Sequence, residues 1–270
     1  MADSLASLPM YDLPELRAAT DAWWAGLARA FRQAGLAPVP ERLSREEDPG
    51  ALWRSPELLI SQTCGYPLTH AYRDSLALVA TPCYGAEGCG GPLYRSAILV
   101  RADDPSEALE DLRGRRAAFN GRNSQSGYNC LRHLVAPLAE GGSFFAEAIE
   151  TGSHAGSLAA VAEGRAAVAA ADCVTFALLA RHRPAAVADL RVLTWSAPAP
   201  GLPYVTTQSC SPEQLERLRA GLAEALADPA TAAAREALLI DGVEVLPTTA
   251  YQVILDMEQE AARAGYPQLS

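Results

Sequence analysis

The sequence predicts an α/β fold in which a mostly parallel sheet is covered by helices on both faces. Short apolar runs alternate along the chain with segments whose apolar residues recur at helical spacing. Residues 165–171 are apolar after the first position, as in a strand that is buried on both faces. A helical stripe is formed by Leu16, Trp23, Leu27 and Phe31.

The order of the predicted elements is mostly alternating. Strands are predicted at residues 7–10, 58–63, 76–81, 93–100, 115–119, 147–151, 165–171, 192–195 and 204–207. Helices are predicted from Pro14 to Gly35, from the cap Asp104 to Gly114, from the cap Ser157 to Gly164, from Cys173 to His182, after a capping box at Ser211, and near Thr248 to Ala264.

Residues 120–130 form a small polar loop that opens a further helix. Ser124, Ser126 and Gly127 stand where an N-cap is expected, and Gly127 lets a ligand approach the backbone closely. A helix start has unpaired N–H groups and partial positive charge, so an oxyanion can bind there without a lysine. An ordinary capped helix would carry the same residues.

Three polar segments follow three successive predicted strands. They are residues 120–126, Ser153 with His154, and Asp172. In open α/β sheets, ligands bind beyond the carboxyl ends of the strands. We therefore expect these segments to meet at one ligand site. Asp172 could equally serve only as the cap of the next helix.

Composition excludes several classes of protein. The net charge of -10 argues against a nucleic-acid partner. All 22 basic residues are Arg, which excludes Schiff-base chemistry on a lysine and a phosphate-binding Gly-Lys loop. No apolar run of about 18 residues is present, and no cofactor is predicted.

The sequence does not decide in which cellular compartment the protein works. Residues 1–10 have neither a basic nor an apolar signal-peptide region, so we expect either a cytoplasmic protein or a chain written without its signal. Six cysteines form no recognisable framework. Cys83 and Cys89 could bridge, and reduced thiols fit the sequence equally well.

Four motifs, taken in order, resemble the substrate-binding proteins of phosphate, phosphite and phosphonate ABC importers (PhnD-like proteins). They are residues 109–119, residues 123–128, residues 151–154 with Ser157, and residues 164–172. The resemblance covers roughly residues 58–207. It implies the type II periplasmic binding fold.

The resemblance also implies the organisation of the molecule. One discontinuous lobe would contain residues 1–95 plus 201–270, the other would contain residues 96–200, and a hinge motion would close them around the ligand. The chain would be a periplasmic, non-enzymatic and monomeric binding protein. Its partners would be an ABC permease and a small oxyanion, either a phosphonate or a phosphate ester, which could carry an amine.

The resemblance assigns roles to particular residues. Ser124, Ser126 and the Gly127 amide would hold the phosphonate oxygens. His154 and Asp172 would face the ligand, with Asp172 recognising an amine. An aromatic residue of the first lobe would cover the ligand, with Tyr66 as first choice and Tyr11 as second. The expected ligand-binding set also contains Asn120 and Tyr128.

Two alternatives stay open on the sequence. An iron-type metal site could be built from Tyr11, Tyr66, His154 and Asp172. A cytoplasmic sensor or enzyme could instead use Cys64 or Cys130, each near a predicted helix start, as an activated nucleophile.

Overall fold

A computed structural model describes residues 4–46 and 48–270. Residues 1–3, part of the segment considered above as a signal peptide, lie outside the described residues. The helices are α1 (Arg17–Gln33), α2 (Pro49–Leu52), α3 (Gly65–Thr69), α4 (Cys130–Val135), α5 (His154–Ala162), α6 (Cys173–His182), α7 (Pro212–Ala227), α8 (Ala232–Ala237) and α9 (Gln252–Arg263). The strands are β1 (Leu5–Ala6), β2 (Leu58–Gln62), β3 (Leu76–Tyr84), β4 (Leu93–Tyr94), β5 (Ser96–Arg101), β6 (Arg116–Phe119), β7 (Glu147–Glu150), β8 (Val168–Asp172), β9 (Leu190–Trp195), β10 (Ala199–Pro200), β11 (Tyr204–Thr207) and β12 (Ile240–Glu244).

The chain divides into two compact units, each with its own sheet. The first unit contains Met1–Gly85, Gly90–Pro92 and Pro200–Ala250. The second unit contains Ala86–Cys89, Leu93–Ala199 and Tyr251–Ser270. The predicted mixture of helices and sheets is confirmed.

The first unit is a sheet of order β1-β2-β11-β3-β12 with α1 and α7 packed together. Strands β1 and β2 are parallel, whereas β11 and β12 run antiparallel to their neighbours. The predicted stripe on α1 is confirmed, because all four of its residues are buried.

The second unit has the sheet order β7-β6-β8-β5-β9. Strands β7, β6 and β8 are mutually parallel, and β5 runs antiparallel to both β8 and β9. Its core joins apolar residues of these strands to α4 and to the C-terminal segment. Alanine fills much of β8, where Ala169, Ala170 and Ala171 are fully buried. This small-residue strand lets helices pack closely on the sheet.

The C-terminal helix belongs to a different unit from the lobe in which it was expected. Residues 251–270 were expected in the first lobe, but they belong to the second unit. Helix α9 packs against α4, and the Asn129 side chain donates to the Ile254 carbonyl at 3.0 Å. The backbone N–H groups of Phe144 and Phe145 both donate to the Ser270 carbonyl. These long-range contacts anchor the C-terminus to the second unit.

The predicted helix capped by Asp104 does not form. Asp104 Oδ1 instead accepts hydrogen bonds from the Ser106 N–H and from Arg115, which also bonds Oδ2 at 2.6 Å. These bonds hold the pKa of Asp104 well below its usual range. Only a single tight turn, Leu109–Leu112, follows. The ion pair thus replaces the predicted cap.

Several other predicted boundaries were wrong, and two of them concern a helix cap and the first strand. Helix α5 begins after Ser153, whose Oγ accepts from the Gly156 N–H at 3.0 Å, so Ser157 lies inside the helix. The first strand is Leu5–Ala6 rather than residues 7–10. Pro9 has no N–H to continue the ladder, which accounts for the early end of this strand.

Among the described residues, the structure contains no helix that is both long and apolar enough to cross a membrane.

Candidate functional site

Three parallel strands of the second unit bring polar residues to one edge of the sheet. Asn120 follows β6, His154 is the first residue of α5 after β7, and Asp172 is the last residue of β8. Because β7, β6 and β8 are parallel neighbours, their carboxyl ends lie at the same edge. The predicted meeting of the three polar segments is therefore present within this unit.

The serine loop enters its helix through one wide turn. Ser124 is the N-cap, and its Oγ accepts from the Gly127 N–H at 3.0 Å. The Asn129 N–H then donates to the Ser124 carbonyl at 3.0 Å, an i→i+5 bond that is wider than that of an α-helix. Such wide turns are frequent at functional sites. Ser124 is therefore the cap, while Ser126 lies two positions further on, inside the turn.

Gly127 is required by the close packing of this turn. A Cβ atom at this position would lie 1.9 Å from Asn120 Oδ1 and 3.1 Å from His154 Cε1. Any other residue would displace Asn120, so the glycine permits close approach of the backbone to its neighbours.

Four side chains form what we call the strand-end cluster, in which three of them surround the imidazole Nε2 of the fourth: Asn120, Ser126 and Asp172 around His154. His154 Nε2 lies 3.0 Å from Ser126 Oγ, 3.4 Å from Asp172 Oδ2 and 3.5 Å from Asn120 Nδ2. Asp172 Oδ1 is held by the Thr175 N–H at 2.8 Å, which confirms the predicted cap of α6. The cluster thus spans the starts of three helical segments.

The strand-end cluster is almost dry. The side chain of Asp172 is 2% exposed and that of His154 is 13% exposed. Burial lowers the pKa of His154, and the Asp172 carboxylate and the Ala170 carbonyl only partly oppose this effect. At neutral pH the imidazole is therefore uncharged, with a carboxylate beside it.

Asn120 Oδ1 is a buried acceptor without a hydrogen-bond partner. Buried polar atoms are rarely left in this state, because each unsatisfied group costs about 1–3 kcal/mol. A ligand carrying a donor, or a bound water, would satisfy it. This atom is therefore a sign of a binding position within the cluster.

The cluster is not a Ser-His-Asp catalytic triad. In a triad, the serine and the acid face opposite ring nitrogens of the histidine. Here Ser126 and Asp172 both approach Nε2. The acid cannot orient the ring through Nδ1, so this arrangement suits ligand binding rather than activation of the serine.

Tyr128 occupies the core of the second unit. It is 4% exposed, its ring packs against Phe119 with a centroid distance of 5.0 Å, and its hydroxyl accepts from the Leu269 N–H. These contacts account for its burial by packing alone, so we leave Tyr128 out of the proposed ligand contacts.

Tyr66 and Tyr11 belong to the first unit. Tyr66 stacks on His70, with ring centroids 3.8 Å apart. Tyr11 is buried and meets Tyr84 edge to face at 5.1 Å. Their roles as ligand covers stay predictions.

A small aromatic cavity in the first unit was not predicted from the sequence. Its lining includes Tyr11, Trp23, Gln62, Tyr84 and Tyr204. The Gln62 amide donates to the Tyr84 hydroxyl at 2.9 Å, and burial raises the pKa of Tyr204 to about 12. These residues are far apart in the chain, so spacing gives no signal that they meet.

Two observations bear on the alternative sites, while the roles suggested for Tyr11, Tyr66 and Cys64 stay predictions. Within residues 4–46 and 48–270, no group of three or more His, Cys, Asp or Glu side chains could hold a metal ion. Cys130 is 3% exposed, and its thiol donates to the Ser126 carbonyl at 2.7 Å. This thiol is therefore engaged in packing the serine turn.

The fold is the type II periplasmic-binding-protein fold. A binding component of an ABC phosphonate transporter from Pseudomonas aeruginosa superposes with a TM-score of 0.77 at 18% identity, covering 98% of this chain and 88% of that one. PhnD1 from Prochlorococcus marinus, in complex with methylphosphonate, gives 0.76 at 13% identity, covering 96% and 98%. A Xanthomonas citri protein bound to ATP gives 0.73 at 19% identity, covering 97% and 98%.

The sequence defines the family more narrowly. Residues 58–251 match the model of the family described as ABC transporter, phosphonate, periplasmic substrate-binding protein. The chain belongs to this family, which confirms the resemblance found in its motifs. No curated protein sequence matches the chain significantly.

Proposed function

We propose that this protein binds a small phosphonate or related oxyanion at the strand-end cluster of its second unit. The observation that carries the proposal is the cluster itself, in which Ser126, His154 and Asn120 meet at a helix start. The buried Asn120 Oδ1 has no partner there. Hydroxyl and amide donors and the N–H groups of the first turn suit a tetrahedral oxyanion.

The charge of the strand-end cluster limits which classes of ligand can bind there. Asp172 is buried beside a neutral His154, so the site already contains a negative charge. A purely anionic ligand would be repelled by this carboxylate, whereas an amine on the ligand would form a charge-assisted hydrogen bond with it. The ligand we favour is therefore an amine-bearing phosphonate or phosphate ester.

The role follows from the family. We infer that the protein works in the periplasm as a monomer and delivers its ligand to an ABC permease, without catalysing a reaction. The offset of Asp172 from His154 Nδ1 supports binding rather than catalysis.

A thermal-shift experiment tests the proposed ligand class. Melting temperatures would be compared in millimolar 2-aminoethylphosphonate, methylphosphonate, phosphate and ethanolamine. A ligand at about 100 times its Kd stabilises the native state by about 2.7 kcal/mol, or roughly 5–10 °C for a chain of this size. We expect the largest shift with 2-aminoethylphosphonate and none with ethanolamine. The proposal fails if none of these oxyanions raises the melting temperature.

A further inference from the structure

Two thiols of the second unit lie close together, outside the proposed ligand contacts. Cys89 belongs to the short segment Ala86–Cys89, and Cys173 is the first residue of α6. Their Sγ atoms are 3.3 Å apart, although 84 positions separate them in the chain. The sequence had suggested Cys83 as the partner of Cys89, but the thiol that faces Cys89 is that of Cys173.

The backbone on both sides holds this pair in place. Gly88 has a φ of +94°, and a Cβ there would lie 3.0 Å from the Cys173 Cβ and 2.8 Å from Trp195 Cζ3. The Cys89 N–H donates to the Ala86 carbonyl at 3.0 Å, and the Cys173 N–H donates to the Arg95 carbonyl at 3.1 Å. The glycine turn therefore sets Cys89 against the start of α6.

We propose that Cys89 and Cys173 form a reversible disulfide by thiol–disulfide exchange with a small-molecule or protein disulfide. The sulfur atoms must approach by about 1.3 Å to reach the bonded separation of ~2.0 Å. Rotation about the Cα–Cβ bond of each cysteine moves its Sγ atom, so the two atoms can approach while the backbone contacts stay in place. The proposal does not depend on the identity of the ligand.

The order of the two steps follows from exposure. Cys89 is half-buried, whereas Cys173 is 1% exposed, so an external disulfide reaches Cys89 first. The hydrogen bond to Cys89 and burial raise the pKa of the Cys173 thiol, which disfavours Cys173 as the first nucleophile.

The exchange is balanced in atoms and electrons. The Cys89 thiolate attacks one sulfur of the oxidant R–S–S–R, and the first RS⁻ leaves and takes up the proton that Cys89 lost. Cys173 then loses its proton and attacks the Cys89 sulfur of the mixed disulfide, which releases the second RSH. The two cysteines are oxidised by two electrons, and the oxidant disulfide is reduced to two thiols.

The bond would join a loop to a helix start that bears a ligand-site residue. Asp172 directly precedes Cys173 and caps α6. A disulfide closing a loop of this length stabilises mainly by restricting the unfolded chain. We expect the melting temperature to rise by about 5 °C or more on oxidation.

Peptide mapping of the full chain tests the proposal. Protein treated with oxidised glutathione would be alkylated under denaturing conditions, digested and analysed by mass spectrometry, with and without prior reduction. We expect two of the six cysteines to be protected in one linked peptide pair that contains Cys89 and Cys173. Dithiothreitol should remove the link and reverse the thermal shift.

Three variants separate the two steps. Cys173→Ser should stop at a stable glutathione adduct on Cys89, whereas Cys89→Ser should leave Cys173 unmodified. Cys210→Ser, a half-buried thiol of the first unit, is the matched control and should keep the linked peptide. The absence of a Cys89–Cys173 peptide from oxidised wild-type protein would overturn the proposal. A wild-type Cys89–glutathione adduct that never resolves would do the same.

Discussion

The protonation of His154 governs the charge of the strand-end cluster. Burial favours the neutral imidazole, and the adjacent Asp172 carboxylate only partly restores its basicity. In the hydrogen bond between Ser126 Oγ and a neutral His154 ring, the direction depends on which ring nitrogen carries the proton, so the Ser126 hydroxyl can donate to a bound oxyanion when Nε2 carries it. A protonated ring would instead donate to a bound oxyanion. Ligand binding and proton uptake are therefore linked at this residue.

The lowered pKa of His154 predicts a particular pH dependence of stability. Below about pH 6.5 the imidazole of the unfolded chain binds a proton, whereas the native imidazole, with its lowered pKa, stays neutral. The free energy of unfolding therefore decreases as the pH is lowered. The slope from this residue is at most about 1.4 kcal/mol per pH unit. We expect His154→Gln to flatten the dependence between pH 7.5 and 5.5.

Urea unfolding of both proteins at several pH values measures this effect. Equal slopes for the wild type and His154→Gln would show that the native imidazole titrates as in the unfolded chain.

The spacing of residues in the sequence predicted the strand-end cluster more accurately than it predicted the helix caps. Asn120, His154 and Asp172 could be placed because each lies directly or shortly after a predicted strand. The cap of α5 could not be chosen between Ser153 and Ser157 from sequence, since both are serines before a helical pattern. In the structure the Ser157 hydroxyl forms a hydrogen bond with Thr151 Oγ1 at 2.7 Å. This contact depends on the folded turn and cannot be read from the sequence.

Helix packing in the first unit depends on a glycine within α7. A Cβ atom at Gly221 would lie 2.4 Å from Phe31 Cδ1, and Phe31 is fully buried on α1. Overpacking of this kind costs about 1–3 kcal/mol, which exceeds the gain of about 1 kcal/mol that alanine brings to a helix interior. We predict that Gly221→Ala is destabilising by about 1 kcal/mol.

Chemical denaturation of Gly221→Ala measures this cost. Ala223→Ser, an exposed change on the same helix, should stay within about 0.5 kcal/mol of the wild type. A stabilised Gly221→Ala protein would mean that α1 and α7 separate without penalty.

Elements with strong periodicity or clear caps were predicted well. Helix α1 and helix α7 with its capping box formed where expected, and strand β8 formed but began three residues later than predicted. The segment after Asp104 failed because a distant partner, Arg115, competes for the carboxylate. Local sequence carries a cap signal but not the ion pair that replaces it.

At the scale of the molecule, the α/β class was predictable and the C-terminal assignment was not. Helix α9 is amphipathic, and its apolar face could pack on either unit. Its place in the second unit is fixed by contacts such as that of Asn129 with Ile254, between residues 125 positions apart. Mixed, mostly parallel sheets were expected, but which strands run antiparallel could not be predicted, because strand direction depends on connections that periodicity does not encode.

The central claim is that the strand-end cluster binds the oxyanion, and calorimetric titration of 2-aminoethylphosphonate tests it most directly. We predict measurable affinity for the wild type and a loss of about tenfold or more in Ser126→Ala, since a hydrogen bond to a charged group contributes about 1.5–3 kcal/mol. Ser211→Ala removes an exposed cap in the first unit and should bind as the wild type does. Equal affinity in Ser126→Ala and wild type would contradict the account.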